Sequence, residues 1–228
     1  DCDVVMCDCV KEFGDKSEVY THEIRPGFYN REQLEKEYFS NLLIMPNVEY
    51  PPTISNWLCL FKNTIQCKDT EIRYEEGIRF SEDLLFGAEL MYQAQSFYYM
   101  KGCCFYHYWM NPQSATHTFA TDKWDNYKKL HKKIEQKFSD CTEYDFSQQI
   151  ELVLLFFVYN AVGDIISTSQ LSKQEKMQRC RTILSEKRVH RMFSIIKVLR
   201  LPISLKLKVL TLMYKYKLGI SYLTNRAN

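Results

Sequence analysis

The chain has 228 residues, of which 46% are hydrophobic, 14% aromatic and 25% charged, with only 7 Gly and 6 Pro. This composition excludes a disordered, collagen-like or linker-dominated chain, and at this length folding buries ~70% of the unfolded surface, enough for a core without covalent staples. The formal net charge of +2 conceals an asymmetry: residues 187–228 carry ten Lys or Arg and no Asp or Glu, which leaves 20 basic against 28 acidic residues, or −8, in residues 1–186. An acidic body with a basic tail points the tail toward something anionic.

In chain order, Val4 to Phe13 and Val19 to Ile24 read as two strands, Pro26-Gly27 as a turn, and Arg31 to Ser40 as a helix. Trp57 to Ile65 is an apolar run with strand and short helix both open. The next helix, Glu82 to about Gln95, has Ser81 as N-cap. Phe80 and Leu85 form a hydrophobic staple, and Leu84, Leu85, Ala88, Met91 and Tyr92 share a face. Phe97 to Met100 and Cys103 to Trp109 read as two short strands.

After Thr121 the pattern turns helical. Trp124, Tyr127, His131, Ile134 and Phe138 fall on one stripe, and further helices are predicted at 146–166, 172–184, 186–200 and 203–218, with Pro202 between the last two. The longest apolar run, Leu152 to Tyr159, is bounded by Glu151 and Asn160, too short for the ~20 residues of a spanning helix, and is expected to be a buried core helix. The expected fold class is therefore α+β and helix-rich, with a mixed region over 1–120 and an all-helical region over 121–228.

Nine cysteines, an odd number without a CxxC, predict free thiols in a reducing, cytoplasmic setting. The chain opens on Asp1 inside what reads as a strand entry, with no signal peptide and no initiator Met, and is expected to be a piece of a longer protein.

Glu82 and Asp83 lie in the first turn of a predicted helix. Acidic residues there are ordinarily a response to the helix dipole. A carboxylate held at a rigid helix end and facing a cleft is also suited to removing a proton from a substrate hydroxyl, and spacing alone leaves both readings open. The flanking residues add a resemblance. Gly77-Ile78-Arg79-Phe80-Ser81-Glu82-Asp83-Leu84-Leu85-Phe86, followed by Tyr106-His107-Tyr108-Trp109-Met110-Asn111-Pro112-Gln113-Ser114-Ala115-Thr116, resembles the acceptor-side half of family 2 glycosyltransferases of the GT-A fold. Their "I-x-F-x-E-D-x-x-F" and "Y-x-Y-R-x-N-x-x-S-x-T" segments occur in this order and at this spacing, and the match covers about residues 1–120.

The resemblance implies the acceptor-side part of a GT-A α/β fold whose nucleotide-binding half is missing, followed by the helical region. It implies an inverting transfer of a sugar from a nucleotide-sugar donor to a hydroxyl acceptor, sugar or lipid-linked, in cell-surface polysaccharide or glycoconjugate synthesis. Asp83 then corresponds to the general base, and Glu82, Trp109, Asn111 and Ser114 to acceptor-binding positions. Trp109 stands where relatives carry Arg. The donor diphosphate in such enzymes is held by Mg²⁺ or Mn²⁺ on an Asp-x-Asp motif. Asp1-Cys2-Asp3 has the letters without the preceding apolar strand, so no metal or nucleotide-sugar site is expected in this chain. His117 is the weaker candidate for a metal ligand, a loop-stabilising histidine being the ordinary reading. The rival class is a non-catalytic helical adaptor or a membrane- or partner-binding module.

In the tail, with Leu205 at zero and ~100° per residue, Leu205, Val209, Leu212, Met213 and Tyr216 cluster on one side, flanked by Lys206 and Lys217 on one edge and Lys208 and Lys215 on the other. Two expectations stand level. The stripe packs in the core, or it lies on an anionic membrane surface with the lysines at lipid phosphates, a peripheral position at the inner face of the plasma membrane. No nucleic-acid partner is expected, because the basic residues lack interleaved stacking aromatics or a groove-reading motif.

Overall fold

The computed structural model describes residues 2–63, 72–109 and 119–224. The chain is α+β and helix-rich, a mixed sheet of five described strands followed by helices. It divides into two compact units. Unit 1 comprises Asp1–Met45, Tyr50–Thr118 and Thr142–Tyr144, and unit 2 comprises Pro46–Glu49, Phe119–Cys141 and Asp145–Asn228.

In unit 1 the strands are β1 (Val4–Phe13), β2 (Lys16–Tyr20), β3 (Gly27–Asn30), β4 (Cys59–Phe61) and β5 (Ser96–Trp109). β1 and β5 run parallel at the centre. β2 and β4 pair antiparallel along the other edge of β1, and β3 pairs antiparallel with β5. The registers align residues in rows across the sheet. Phe61, Val4, Phe97 and Tyr29 form one row, and Leu60, Val5, Tyr98 and Phe28 form the next. Because side chains alternate, the rows face opposite ways. Val4, Phe97 and Tyr29 are buried, with Tyr38 packed on Phe97 at 5.7 Å and Phe86 near Phe61 at 5.9 Å. Leu60, Tyr98 and Phe28 are exposed, so one sheet face is covered and the other presents an apolar row.

β5 is one strand, where the sequence predicts two. Residues 101–103 are inserted relative to β1, since Cys7 pairs with Met100 and Asp8 with Cys104. Gly102 takes a left-handed φ of 83° there, and its N–H donates to the fully buried Asp8 carboxylate at 2.6 Å. Tyr99 Oη donates to the same carboxylate at 2.5 Å and accepts the His22 N–H at 2.9 Å. A buried acid thus fastens the bulge that breaks the alternation.

The segment predicted as a helix over 31–40 is irregular. One α turn, α1 (Arg31–Gln33), capped by an Asn30–Gln33 box, widens to a π turn over Leu34–Tyr38 and tightens to a 3₁₀ turn over Phe39–Asn41. Leu34, Tyr38, Phe39, Leu42, Leu43 and Ile44 are all buried, a set too broad for one regular helical face. The predicted strand over 19–24 is shorter and earlier, ending at Tyr20. The 57–65 run contains both forms left open, a 3₁₀ turn (Asn56–Leu58) leading into β4, its last residues lying outside those described.

α2 (Glu82–Gln93) ends two residues before the predicted limit. In unit 2, α3 (Lys123–Phe138), α4 (Ser147–Ser167), α5 (Lys173–Leu184), α6 (Lys187–Ile195), α7 (Leu205–Tyr216) and α8 (Ile220–Leu223) follow. α4 is the core helix: Phe157 stacks on Tyr127 of α3 at 4.4 Å, and α5 and α6 also pack on α4. Among the described residues, α4 alone is long and apolar enough to suit a membrane crossing, but 67% of its apolar window is buried inside the protein. Its C-terminal carbonyl at Ile166 accepts the buried Lys176 Nζ at 2.9 Å, and Arg188 grips Glu151 with two bonds of 2.6 and 2.9 Å. The predicted helix over 186–200 stops at Ile195, with a separate 3₁₀ turn at Val198–Arg200. The residue before Pro202 is biased away from helix, and the buried Ile196, Val198 and Leu201 are reached by irregular chain.

Candidate functional site

The start of α2 forms one wall of a cavity of about 550 Å³ within unit 1. Glu82, Asp83 and Phe86 face it from the helix, and Asn56, Trp57 and Tyr74 from the opposing segments. Its rings are stacked. Tyr74 lies on Phe86 at 4.4 Å and 4°, and Trp57 lies against Tyr106 at 4.4 Å and Tyr108 at 5.3 Å. Flat aromatic faces beside carboxylates are the surface a polyhydroxylated ring uses, because its C–H faces are apolar and its rim is all hydroxyl.

Ser81 occupies the N-cap position but does not cap. Its backbone is left-handed at φ 58°, its side chain makes no capping bond, and its Oγ is 2.6 Å from the Tyr50 hydroxyl. This corrects the sequence expectation. A left-handed backbone costs a β-carbon-bearing residue about 1–2 kcal/mol, and it aims the hydroxyl away from the helix.

Asp83 is half-buried, and the loss of water around its carboxyl pushes it from 3.8 up to about 6. The neighbouring Glu82 charge adds to the rise, while the backbone N–H groups of Asp83 and Leu84 oppose it. Such a group is ionised at neutral pH yet holds a proton more tightly than an ordinary carboxylate, the condition a general base requires. Burial likewise pushes the Tyr50 phenol up to about 12, with the charges of Asp83 and Glu82 contributing.

Asn56 fixes the start of α2. Its Nδ2 donates to the Asp83 carbonyl at 3.1 Å and to the Tyr74 hydroxyl at 3.4 Å. Its Oδ1 is buried and accepts no hydrogen bond among the described residues. Asn56 approaches α2 this closely because Gly87 lies beneath it. A β-carbon at Gly87 would sit 2.8 Å from Asn56 Oδ1 and 2.8 Å from the Thr53 carbonyl oxygen.

Of the residues singled out in the sequence, Glu82 and Asp83 are brought into one cavity. Trp109 is not among its lining residues. It is 67% exposed at the end of β5, and strand alternation places it on the side of His107, opposite Tyr106 and Tyr108, which face Trp57. His107 meets Glu12 at 2.7 Å. Asn111, Ser114 and His117 lie outside the described residues. Lys206, Lys208, Lys215 and Lys217 belong to unit 2, on and just after α7. Asn56, Trp57 and Tyr74 carried no sequence signal as site residues, and Phe86 entered only as the closing letter of the first quoted segment.

The Mg²⁺ or Mn²⁺ that the resemblance implies does not fit these residues. Asp3 accepts the Gln95 N–H at 2.8 Å and pairs with Lys62 at 3.4 Å, so its carboxylate is committed to joining β1 to its neighbours. No group of three or more His, Cys, Asp or Glu capable of holding a metal occurs among the described residues.

A second cavity, about 490 Å³, lies in unit 2. Its charged walls neutralise one another: Lys123 pairs with Asp164 at 2.5 Å, Lys128 with Asp125 at 2.9 Å, and Trp124 Nε1 donates to Glu186 at 2.8 Å. The unit 1 cavity, lined by Arg73 as well as Glu82 and Asp83, holds a perturbed acid and a buried Asn56 oxygen without a hydrogen bond among the described residues, which makes it the better candidate site. Compared with known proteins, the chain matches no family model and no curated protein.

Proposed function

We propose that unit 1 is the acceptor side of an inverting, family 2-type glycosyltransferase and that Asp83 is its general base. The observation that carries this reading is the half-buried Asp83 carboxyl, raised to about 6, at the mouth of α2 in an aromatic-walled cavity. An acceptor sugar rests against Trp57 and Tyr74, and Asp83 takes the proton from the hydroxyl as its oxygen attacks the anomeric carbon of the donor, whose bond to the nucleoside diphosphate breaks so that the diphosphate leaves with the electron pair. The hydroxyl is a poor nucleophile until that proton has somewhere to go, and a well-placed base supplies ~10²–10⁴-fold in rate. Glu82 accepts hydrogen bonds from neighbouring hydroxyls and keeps the proton affinity of Asp83 high.

In this reading the donor phosphates are held by residues outside this sequence, and no step is routed through a metal here. The test is sugar transfer by the complete gene product from a panel of nucleotide sugars to carbohydrate acceptors. Asp83→Asn lowers turnover by ~10² or more with donor binding unchanged, and the wild-type rate falls as pH drops below about 6, where the base is protonated. Activity within a few-fold of wild type in a folded Asp83→Asn protein overturns the proposal and leaves Asp83 as a helix-dipole residue.

A further inference from the structure

The apolar stripe of α7 is only partly covered: Leu212 and Met213 are half-buried, while Leu205, Val209 and Tyr216 are exposed. Thr211 and Tyr214 are the buried residues of the helix, and the Thr211 hydroxyl is bonded to the Leu207 carbonyl at 2.6 Å and to Tyr159 of α4. Those positions lie roughly opposite Leu205, Val209 and Tyr216 on the helical wheel. Leu205 is 76% exposed, Val209 50% and Tyr216 61%, whereas the threonine is fully buried. A helix that turns a threonine inward and leucine and valine outward is not placed by core packing alone.

Adjoining chain extends the surface. Leu199 is 72% exposed and is tied to α7 by Lys208, whose Nζ donates to the Leu199 carbonyl at 3.0 Å. Lys208 therefore fastens the patch, with donor capacity to spare. Leu218 is 61% exposed just past the C-cap, where Lys217 takes a left-handed φ of 55° and ends the helix. The same stretch of chain carries Lys197, Arg200, Lys206, Lys208, Lys215 and Lys217, with no acidic residue after Glu186 in the sequence.

Exposed apolar area alone does not identify an occupant, but its charge does. Lysines on both edges of an outward apolar stripe fit a surface that is apolar within and anionic at its rim, which describes the headgroup boundary of an anionic bilayer. We propose that this face of unit 2, formed by α7 and the Val198–Arg200 turn, adsorbs to anionic lipid. Leu199, Leu205, Val209 and Tyr216 enter the boundary layer, and Lys206, Lys215 and Lys217 reach the phosphates. The proposal rests on none of the chemistry assigned to Asp83.

The test is co-sedimentation of the whole chain with vesicles of phosphatidylcholine alone or mixed with phosphatidylglycerol, at low salt and at ~0.5 M salt, where the Debye length falls to about 4 Å. Binding is expected to the anionic vesicles only and to be released by salt. Each surface lysine contributes about fivefold, so Lys206→Gln, Lys215→Gln and Lys217→Gln together weaken binding by about two orders of magnitude. Leu205→Gln with Val209→Gln abolishes it, and far-ultraviolet circular dichroism stays unchanged because these side chains are exposed. Absence of binding to anionic vesicles at low salt overturns the proposal. So does binding that the lysine substitutions leave intact. Sedimentation velocity supplies a further check: a wild-type dimer made monomeric by the Leu205 and Val209 substitutions assigns the stripe to a second copy of the chain and equally overturns it.

Discussion

Replacing Asp83 with Asn should make the protein more stable at neutral pH, and the size of the gain should depend on pH in a calculable way. The folded-state carboxyl sits at about 6 against 3.8 when solvated. Between those values the folded protein holds more protons than the unfolded chain, so stability falls as pH rises through the interval. Each pH unit that separates the two values is worth ~1.36 kcal/mol, so the ionised carboxylate costs the fold about 3 kcal/mol at pH 7.5 and about 1 kcal/mol at pH 4.5. Asn keeps the shape and an oxygen for the backbone N–H groups but cannot ionise. The variant should therefore gain about 2 kcal/mol on wild type between pH 4.5 and 7.5, a relative change of about 1 M in the urea midpoint at ordinary slopes. Urea unfolding of both proteins across that range checks it. A stability difference constant to within about 0.5 kcal/mol would mean that Asp83 titrates as a solvated acid, and the case for it as a general base would lose its physical footing.

Two further expectations concern packing around the same chemistry and the helical unit. Gly87→Ala places a methyl 2.8 Å from Asn56 Oδ1 and the Thr53 carbonyl oxygen and should cost about 1–3 kcal/mol in thermal or urea unfolding; a neutral result would show that Asn56 is not wedged against α2. Arg188→Met leaves the Glu151 carboxylate, 7% exposed, without its two-bonded partner and should cost about 3–5 kcal/mol, with most of the loss recovered when Glu151→Leu is added. Equal stability of the single and double variants would refute the buried-pair argument.

What the sequence disclosed depended on whether one local rule governed a segment. β1 is found at Val4–Phe13 as read, and α4 and α5 lie within a residue of their predicted limits, because a long apolar run marks α4, which has no side-chain cap, and a Ser172 capping box starts α5. The two-strand reading of 97–109 failed because a buried Asp8, remote in sequence, holds the Gly102 bulge. The 31–40 helix failed because Arg31 is drawn to the Tyr92 and Ala94 carbonyls at the end of α2, while six apolar residues of the segment need burial on more than one face. In the candidate site, the acids were legible because they share a helix start. Asn56 and Trp57 share one 3₁₀ turn and Tyr74 comes from another segment, both brought to the acids only by folding, and no periodicity marks such a meeting. The outward apolar face of α7 was readable as a stripe, but only the burial of Thr211 and Tyr214 shows which side faces the protein.

Serine N-caps give this chain its own internal comparison. At α5, Ser172 accepts the Glu175 N–H while the Glu175 carboxylate returns to the Ser172 N–H, a complete capping box. At α7, Ser204 accepts the Leu207 N–H. At α2 the same residue type, also followed by acids, is left-handed, turned toward Tyr50 and makes no cap. Losing a cap costs about 1 kcal/mol and the left-handed backbone about 1–2 more. Asp83 and the orphaned Asn56 oxygen add to that at the same place. Selection for stability alone removes such penalties one by one, as α5 and α7 illustrate. Their coincidence at one helix start, beside the cavity that Asp83 and Asn56 line, is the local strain that the proposed general base would carry.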